Sequence, residues 1–148
     1  MFMNNSPIHI PIEIIELETQ SFHLLIKCTL NGEQDGDMVI DTGASKTVFD
    51  RNFVLNYQHK EKDKDELQSC GLGGDDIESD LVEIESLSFG DFKSEILNVV
   101  LIDLNQINKM YEKHCQRQIC GLLGSDFLLR HQAIIDYQKS ILILNKNQ

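Results

Sequence analysis

Hydrophobic and polar residues alternate through the first third of the chain, and this period of two predicts β-strands. Isoleucines occupy positions 8, 10, 12 and 14, and the same alternation returns from Phe22 to Leu30. Between these segments, Thr19, Gln20 and Ser21 form a polar turn signal. We therefore predict two paired strands over residues 8–14 and 22–30, followed by a glycine-containing loop over residues 31–36.

The next apolar segment is short, and it ends abruptly in a run of small and polar residues. Residues 38–40 read Met-Val-Ile and are followed directly by Asp41-Thr42-Gly43. We predict a buried strand there, with Asp41 at its end. Asp50 is a suitable N-cap for a short helix reaching residue 56. Residues 59–66 are almost wholly charged, which predicts a solvated loop.

The second half of the chain combines hairpin patterns with one helical pattern. Gly90-Asp91 predicts a tight turn between strands over residues 81–89 and 92–96. The apolar run over residues 97–101 predicts a strand buried on both faces. Ile107, Met110, Tyr111 and His114 recur at helical spacing, so we predict an amphipathic helix over residues 105–117 whose apolar stripe packs on the core.

A short strand, a short helix and a final hairpin are predicted for the C-terminal part. Residues 121–124 read Gly-Leu-Leu-Gly, and Ser125 is a suitable cap for a helix over residues 126–131. Strands over residues 133–137 and 141–144 complete the pattern. The expected fold class is all-β with two or three short helices, in a single domain spanning residues 1–148.

Composition and charge narrow the classes of partner. The 148-residue chain has a net charge of −11, which disfavours nucleic acid and anionic membranes as partners. Residues 1–15 lack the pattern of a signal peptide, and no apolar run approaches the roughly 20 residues of a membrane span. We expect a cytoplasmic protein.

The cysteines are scattered along the chain rather than paired. Cys28, Cys70, Cys115 and Cys120 show neither disulfide-framework nor zinc-site spacing, which indicates free thiols in a reducing compartment. His114 beside Cys115 is interpreted as part of a helix face or loop, because no second ligand pair accompanies it. We expect no metal and no cofactor.

Two segments carry the candidate chemistry. In the first, an apolar strand leads into Asp41-Thr42-Gly43-Ala44-Ser45, which places a carboxylate at the floor of a cleft. Gly43 permits a close backbone approach, and its N–H group is available to a carboxylate. The second segment is Gly121-Leu122-Leu123-Gly124-Ser125-Asp126-Phe127-Leu128.

These two segments, in this order and spacing, resemble the retropepsin-like aspartic proteases. In that family Asp-Thr-Gly-Ala marks the active-site loop, and a downstream pair of hydrophobic residues with a glycine lies beside it. Ile135-Asp136-Tyr137 extends the match to cellular and bacterial members. The resemblance covers roughly residues 8–144 and implies a half-barrel fold that homodimerisation closes.

The resemblance implies a role for each matching residue. Asp41 is the expected catalytic residue, and Thr42 is expected to hydrogen-bond across the dimer axis. Gly43, Ala44, Ser45 and Leu123 would support the loop, with Gly124 packed under it. Gly71, Leu72, Gly73 and Gly74 lie where the family carries its flap, the hairpin that covers the substrate.

The implied activity is hydrolysis of peptide bonds by a pair of carboxylates. Two carboxyl groups about 3 Å apart share one proton, so one acts as general base on water while the other polarises the scissile carbonyl. The chain contains one Asp-Thr-Gly, so the second carboxylate is expected from another copy related by a two-fold axis. The expected partners are a peptide or protein substrate and a second copy of the chain.

The sequence departs from the viral members at two positions that support their dimers. Those members pair an acidic residue with an arginine, and Ser45 and Ser125 occupy the corresponding positions here. This departure leaves an alternative open, in which the chain is a non-catalytic domain of the same fold that binds extended peptides or a protein partner.

Overall fold

The computed structural model describes residues 6–55, 58–61 and 79–146. Gly71, Leu72, Gly73 and Gly74, the residues predicted to form a flap, lie outside the described residues. The strands are β1 (Ile8–Pro11), β2 (Glu13–Glu18), β3 (Ser21–Leu30), β4 (Gln34–Ile40), β5 (Val48–Asp50), β6 (Lys60–Glu61), β7 (Asp80–Ile84), β8 (Leu87–Phe89), β9 (Phe92–Lys93), β10 (Leu97–Ile102), β11 (Gly121–Leu123), β12 (Ile134–Asp136) and β13 (Ile141–Leu144). The helices are α1 (Asn105–Cys115) and α2 (Ser125–Arg130).

Ten of the described strands form one curled sheet, a half-barrel. Its order is β6-β7-β10-β5-β11-β4-β3-β8-β9, with β2 paired to β3. The remaining described strands form a small sheet of order β1-β13-β12. The mostly β fold class predicted from the alternation of residues is confirmed.

The centre of the large sheet brings β4 and β11 together in parallel. Leu123 pairs with Ile40, and β11 is also antiparallel to β5, where Leu122 pairs with Val48. Gly121 is needed in this arrangement because a Cβ there would collide with the carbonyl oxygen of Val48. The end of β4, and hence Asp41, therefore lies next to the end of β11.

Two large hydrophobic clusters pack against the sheet. The larger one fills the half-barrel and includes the fully buried aromatic rings of Phe49, Phe89, Phe92 and Phe127. The smaller one lies under α1 and combines the buried residues Leu17, Leu25, Val39, Leu104, Tyr111 and Ile119. Burial of apolar surface on both sides of the sheet is the main stabilising term.

Several strand predictions are confirmed, and their errors are local. The turns of both predicted hairpins are present: Gly90-Asp91 joins β8 to β9, and the C-terminal hairpin joins β12 to β13. The predicted strand over residues 81–89 divides into β7 and β8, and the strand predicted over residues 92–96 ends at Lys93. The predicted strand over residues 8–14 is wrong in detail, because it divides between two sheets: β1 pairs with β13 and β2 with β3. The chain changes sheets at Ile12, whose N–H donates to the Ser140 carbonyl at 2.8 Å.

The predicted loop over residues 31–36 is also wrong in its extent. Only residues 31–33 form the turn, and β4 begins at Gln34. Gly36 is accommodated inside β4 because its missing side chain leaves room for the thiol of Cys120. That thiol crosses over the strand to reach the Cys28 sulfur at 3.6 Å.

Asp50 does not begin a helix, contrary to the sequence prediction. Residues 48–50 form β5, and residues 51–54 form turns and a bend. The Asp50 carboxylate instead accepts hydrogen bonds from the backbone N–H groups of Asn52 and Leu104, each at 3.2 Å. The Asp50 carboxylate therefore joins two distant segments of the chain instead of capping a helix.

The two predicted C-terminal helices are present with shifted ends. Helix α1 stops at Cys115, two residues before the predicted end, and Gln116 adopts a left-handed conformation with φ of 54°. Helix α2 begins at Ser125, and Gly124 rather than Ser125 holds the N-cap position. The hydroxyl of Ser125 therefore does not cap the helix as predicted.

Candidate active site

Asp41 lies immediately after β4, where two backbone contacts orient it. Its N–H donates to the Leu123 carbonyl at 2.9 Å, which ties the start of the loop to β11. Its carboxylate Oδ1 accepts a hydrogen bond from the Gly43 N–H at 3.0 Å, as the sequence suggested. Asp41 is partly exposed, and the hydrogen bond from its own loop holds the carboxylate in a defined orientation.

The loop after Asp41 rests on the connection between β11 and α2. The Ala44 N–H donates to the Asp41 carbonyl at 3.1 Å, and the Ser125 N–H donates to the Ala44 carbonyl at 2.7 Å. A Cβ on Gly124 would lie 2.6 Å from the Lys46 carbonyl carbon and 2.9 Å from the Ala44 oxygen. The φ angle of Gly124 is −91°, which other residues also adopt. Glycine is required there because the backbone of the Asp41 loop lies too close for a side chain.

A buried threonine, which the sequence analysis did not identify, links the two segments. The Thr47 side chain is fully buried, and its hydroxyl donates to Asp126 Oδ1 at 2.8 Å. The Thr47 hydroxyl oxygen also accepts a hydrogen bond from the Gly124 N–H at 3.1 Å. Thr47 was missed because its partners are distant in sequence and no local pattern distinguishes it.

Replacing Thr47 by valine should destabilise the junction of the two motifs. Thr47→Val keeps the side-chain shape but leaves the buried Gly124 N–H without its partner, which costs about 1–3 kcal/mol. Urea unfolding of the variant measures this loss. Thr29→Val is the matched control, because the Thr29 hydroxyl bonds Asp35 at an exposed site at 2.8 Å. Equal stabilities of the two variants would contradict the assigned role of Thr47.

A groove of about 380 Å³ opens beside Asp41. Strands β3, β4 and β11, helix α1 and the region of β12 contribute its walls. Its lining residues are Phe22, His23, Leu24, Val39, Ile40, Asp41, Thr42, Ile107, Met110, Tyr111, Leu122, Ile135 and Tyr137. Among these described lining residues, Asp41 alone carries a carboxylate, and most of the others are apolar.

Tyr111 and His23 form a hydrogen-bonded pair in the wall of this groove. The Tyr111 hydroxyl lies 2.8 Å from His23 Nδ1, and the two rings meet edge to face. Burial raises the pKa of Tyr111 to about 12, and electrostatic interaction with the nearby Cys115 and Asp41 side chains adds to the effect. The helical spacing had predicted a stripe that packs on the core. Tyr111 packs there and also lines the groove, but the prediction is wrong for Met110 and His114, which are exposed.

The remaining predicted site residues lie close to Asp41 and differ in exposure. Thr42, Gly43 and Ser45 are exposed, Ala44 is partly buried, and Leu123 is fully buried. Two other aspartates in the C-terminal part are engaged elsewhere. Asp126 accepts bonds from Thr47 and the Phe127 N–H, and Asp136 accepts one from the Lys139 N–H.

Neither metal ligands nor a membrane-spanning helix is found in the described segments. Across residues 6–55, 58–61 and 79–146, no group of three or more histidine, cysteine or acidic residues is placed to hold a metal ion. In the same ranges, both helices are too short and too polar to cross a lipid bilayer.

A family model and a solved structure agree with this geometry. Residues 26–127 match a family model described as aspartyl protease. A search of curated proteins returned no match. The crystal structure of a retropepsin-like aspartic protease from Rickettsia conorii superposes with a TM-score of 0.50 at 19% identity, covering 98% of this chain and 97% of that one. The retroviral protease-like domain of Ddi1 from Leishmania major gives a TM-score of 0.48 at 17% identity, covering 84% and 88%.

The family model spans both the Asp41 loop and the Gly124 segment, so the chain belongs to the aspartyl protease family. The likeness to the Rickettsia conorii protein shows that the fold is retropepsin-like.

Proposed function

We propose that this chain is an aspartic endopeptidase whose active site forms between two copies, each supplying Asp41. The observation that carries the proposal is the Asp41 carboxylate, oriented by the Gly43 N–H at 3.0 Å and opening onto a groove. A single carboxylate is half of the pair that this chemistry needs, since one group must accept a proton while the other donates one.

In the proposed reaction, the two Asp41 carboxyl groups hold one proton and one water between them. The ionised carboxylate removes a proton from the water, which attacks the scissile carbonyl carbon, while the protonated carboxyl donates to the carbonyl oxygen. The tetrahedral intermediate then collapses as a proton passes to the leaving nitrogen. Gly43 keeps each carboxylate in position through its N–H group, and Leu123 fixes the start of each loop.

The surface near Asp41 supports assembly with a second copy. Thr42 is exposed beside the carboxylate, and in the proposed dimer it would contact the partner's loop. The small sheet ends at β12, and three apolar residues in this region are exposed: Ile134 in β12 by 57%, Tyr137 after it by 66%, and Leu129 in α2 by 81%. An edge strand with exposed apolar side chains is suited to pairing with another chain.

The proposed substrate is an extended peptide lying along the groove. Its backbone would bind beside the Asp41 carboxylate, against the mostly apolar walls of the groove. In the proposed dimer, Ser45 and Ser125 stand where the viral relatives have an ion pair. We therefore expect apolar contacts between the two copies to provide most of the stability of the dimer.

The dependence of activity on protein concentration tests this proposal. The purified chain should cleave an unstructured peptide library at mildly acidic pH, and its specific activity should rise with concentration as dimers form. Sedimentation of the same samples should show a species of about twice the 16.9 kDa chain mass. A protein that dimerises yet cleaves no peptide would contradict the proposal, and so would an active strict monomer.

A further inference from the structure

Helix α1 is fixed next to the Asp41 groove by polar contacts that reach it from distant parts of the chain. At its start, the Leu104 N–H donates to Asp50 Oδ1 at 3.2 Å. Within it, the buried Asn108 side chain pairs with the backbone of Ile119: its amide donates to the Ile119 carbonyl at 3.0 Å, and its oxygen accepts from the Ile119 N–H at 2.7 Å. The helix is therefore attached to the segment that leads into β11.

Tyr111 gives α1 a third attachment, this time to β3. Its side chain is 2% exposed and packs in the small hydrophobic cluster with Leu25 and Val39. Its hydroxyl reaches His23 Nδ1 at 2.8 Å. Since Val39 and His23 belong to the strands beside Asp41, the position of α1 is tied to the candidate catalytic loop.

The side of α1 that faces the groove presents apolar groups. Ile107 is partly buried in the wall, and Met110 is 37% exposed there. Phe22, another lining residue, is 58% exposed. The polar atoms of the lining include the Tyr111–His23 pair and the Asp41 carboxylate. A substrate side chain that entered this groove would be desolvated by its apolar walls.

We propose that α1 is the specificity element of the site: Met110 and Ile107 form one wall of a subsite for a large uncharged side chain next to the scissile bond, and the Tyr111–His23 pair limits its depth. This inference rests on the proposed peptidase function. A charged substrate side chain would be desolvated against Ile107 and Met110, and an acidic one would also be repelled by Asp41.

Substitution of Met110 tests the wall directly. The probes are acetylated octapeptides identical except at the residue before the cut, which is Ala, Leu, Trp or Asp. Wild type should favour Leu and discriminate against Ala and Asp. Met110→Ala enlarges the subsite, so the ratio of kcat/KM for Trp over Leu should rise about 10-fold.

Lys109→Ala is the matched control, since Lys109 is the neighbour of Met110 on the same helix but faces a different groove with Glu112 and Gln118. It should leave the Trp-to-Leu ratio unchanged. An unchanged ratio in Met110→Ala, with the variant folded and active, would overturn the assignment of α1 as the specificity element. An equal change in Lys109→Ala would overturn it as well.

A binding measurement separates failure of the subsite from failure of the proposed function. In the Asp41→Asn protein, NMR signals of the His23 ring should shift when the Leu octapeptide is added and stay unchanged with the Asp octapeptide. Shifted signals together with a wild type that cleaves nothing would support the subsite and reject the peptidase function. Active wild type with no His23 shift for any octapeptide would reject the subsite alone.

Discussion

Asp41→Asn should lower kcat/KM for peptide hydrolysis by about 10³-fold or more, because an amide can neither remove a proton from water nor share one with its mate. The substitution is nearly isosteric, and the new side-chain oxygen can still accept the Gly43 N–H bond that measures 3.0 Å in this protein. The fold and the dimer should therefore survive. Rates on the best library peptide, measured with protein of confirmed dimer content, check the expectation.

Asp35→Asn provides the matched control for this substitution. Asp35 lies near the start of β4, and its exposed carboxylate accepts a hydrogen bond from the Thr29 hydroxyl at 2.8 Å, a bond that the new amide oxygen can still accept. Activity should stay within a factor of about two of wild type, as for a surface substitution away from the chemistry. Substantial activity in Asp41→Asn would remove this residue from the reaction.

Gly124→Ala should be strongly destabilising, because it adds a methyl group directly against the backbone of the Asp41 loop. The new Cβ would lie 2.6 Å and 2.7 Å from the carbonyl carbon and oxygen of Lys46 and 2.9 Å from the Ala44 oxygen. These are backbone atoms of the Asp41 loop, so the loop itself must move. We expect a loss of about 3 kcal/mol in the free energy of unfolding, from overpacking. Peptidase activity should fall further than stability alone explains, because Asp41 moves with its loop.

Gly43→Ala is the control for Gly124→Ala, because it also replaces a glycine of the site but adds no steric crowding. A Cβ there would meet only the Asp41 carboxylate oxygen, at an ordinary 3.4 Å. Its effect on unfolding should therefore be small, within about 1 kcal/mol. Urea denaturation of both variants provides the comparison. Equal destabilisation would show that close packing beneath the loop is not the reason for glycine at position 124.

Local pattern was sufficient to predict the elements around the site. A period of two, an Asp after an apolar strand and a Gly-Asp turn each depend on neighbouring residues, so β3, the end of β4 and the β8–β9 hairpin were predictable. The fold class followed from the same patterns. The family resemblance then indicated that the Gly124 segment lies beside Asp41, and the hydrogen bond between Ser125 and Ala44 agrees with it.

Features that depend on distant partners were not predictable in this way. Asp50 was expected to cap a helix. Its hydrogen bond to the Leu104 N–H joins residues 54 positions apart in sequence, so no local pattern could predict it. Thr47 acts through Asp126, which is 79 positions away. Tyr111 was predicted to lie in the core, which it does, but its contact with His23 spans 88 positions. Only the folded chain shows these pairs.

Mixing subunits tests the central claim, that each active site needs Asp41 from two chains. Wild-type and Asp41→Asn proteins are mixed in equal amounts, dissociated and reassociated at a fixed total concentration. If two Asp41 residues are required, only homodimers of wild type are active, and activity should be about one quarter of an all-wild-type sample. Activity of about one half would mean that each chain works with its own Asp41, and would contradict the account.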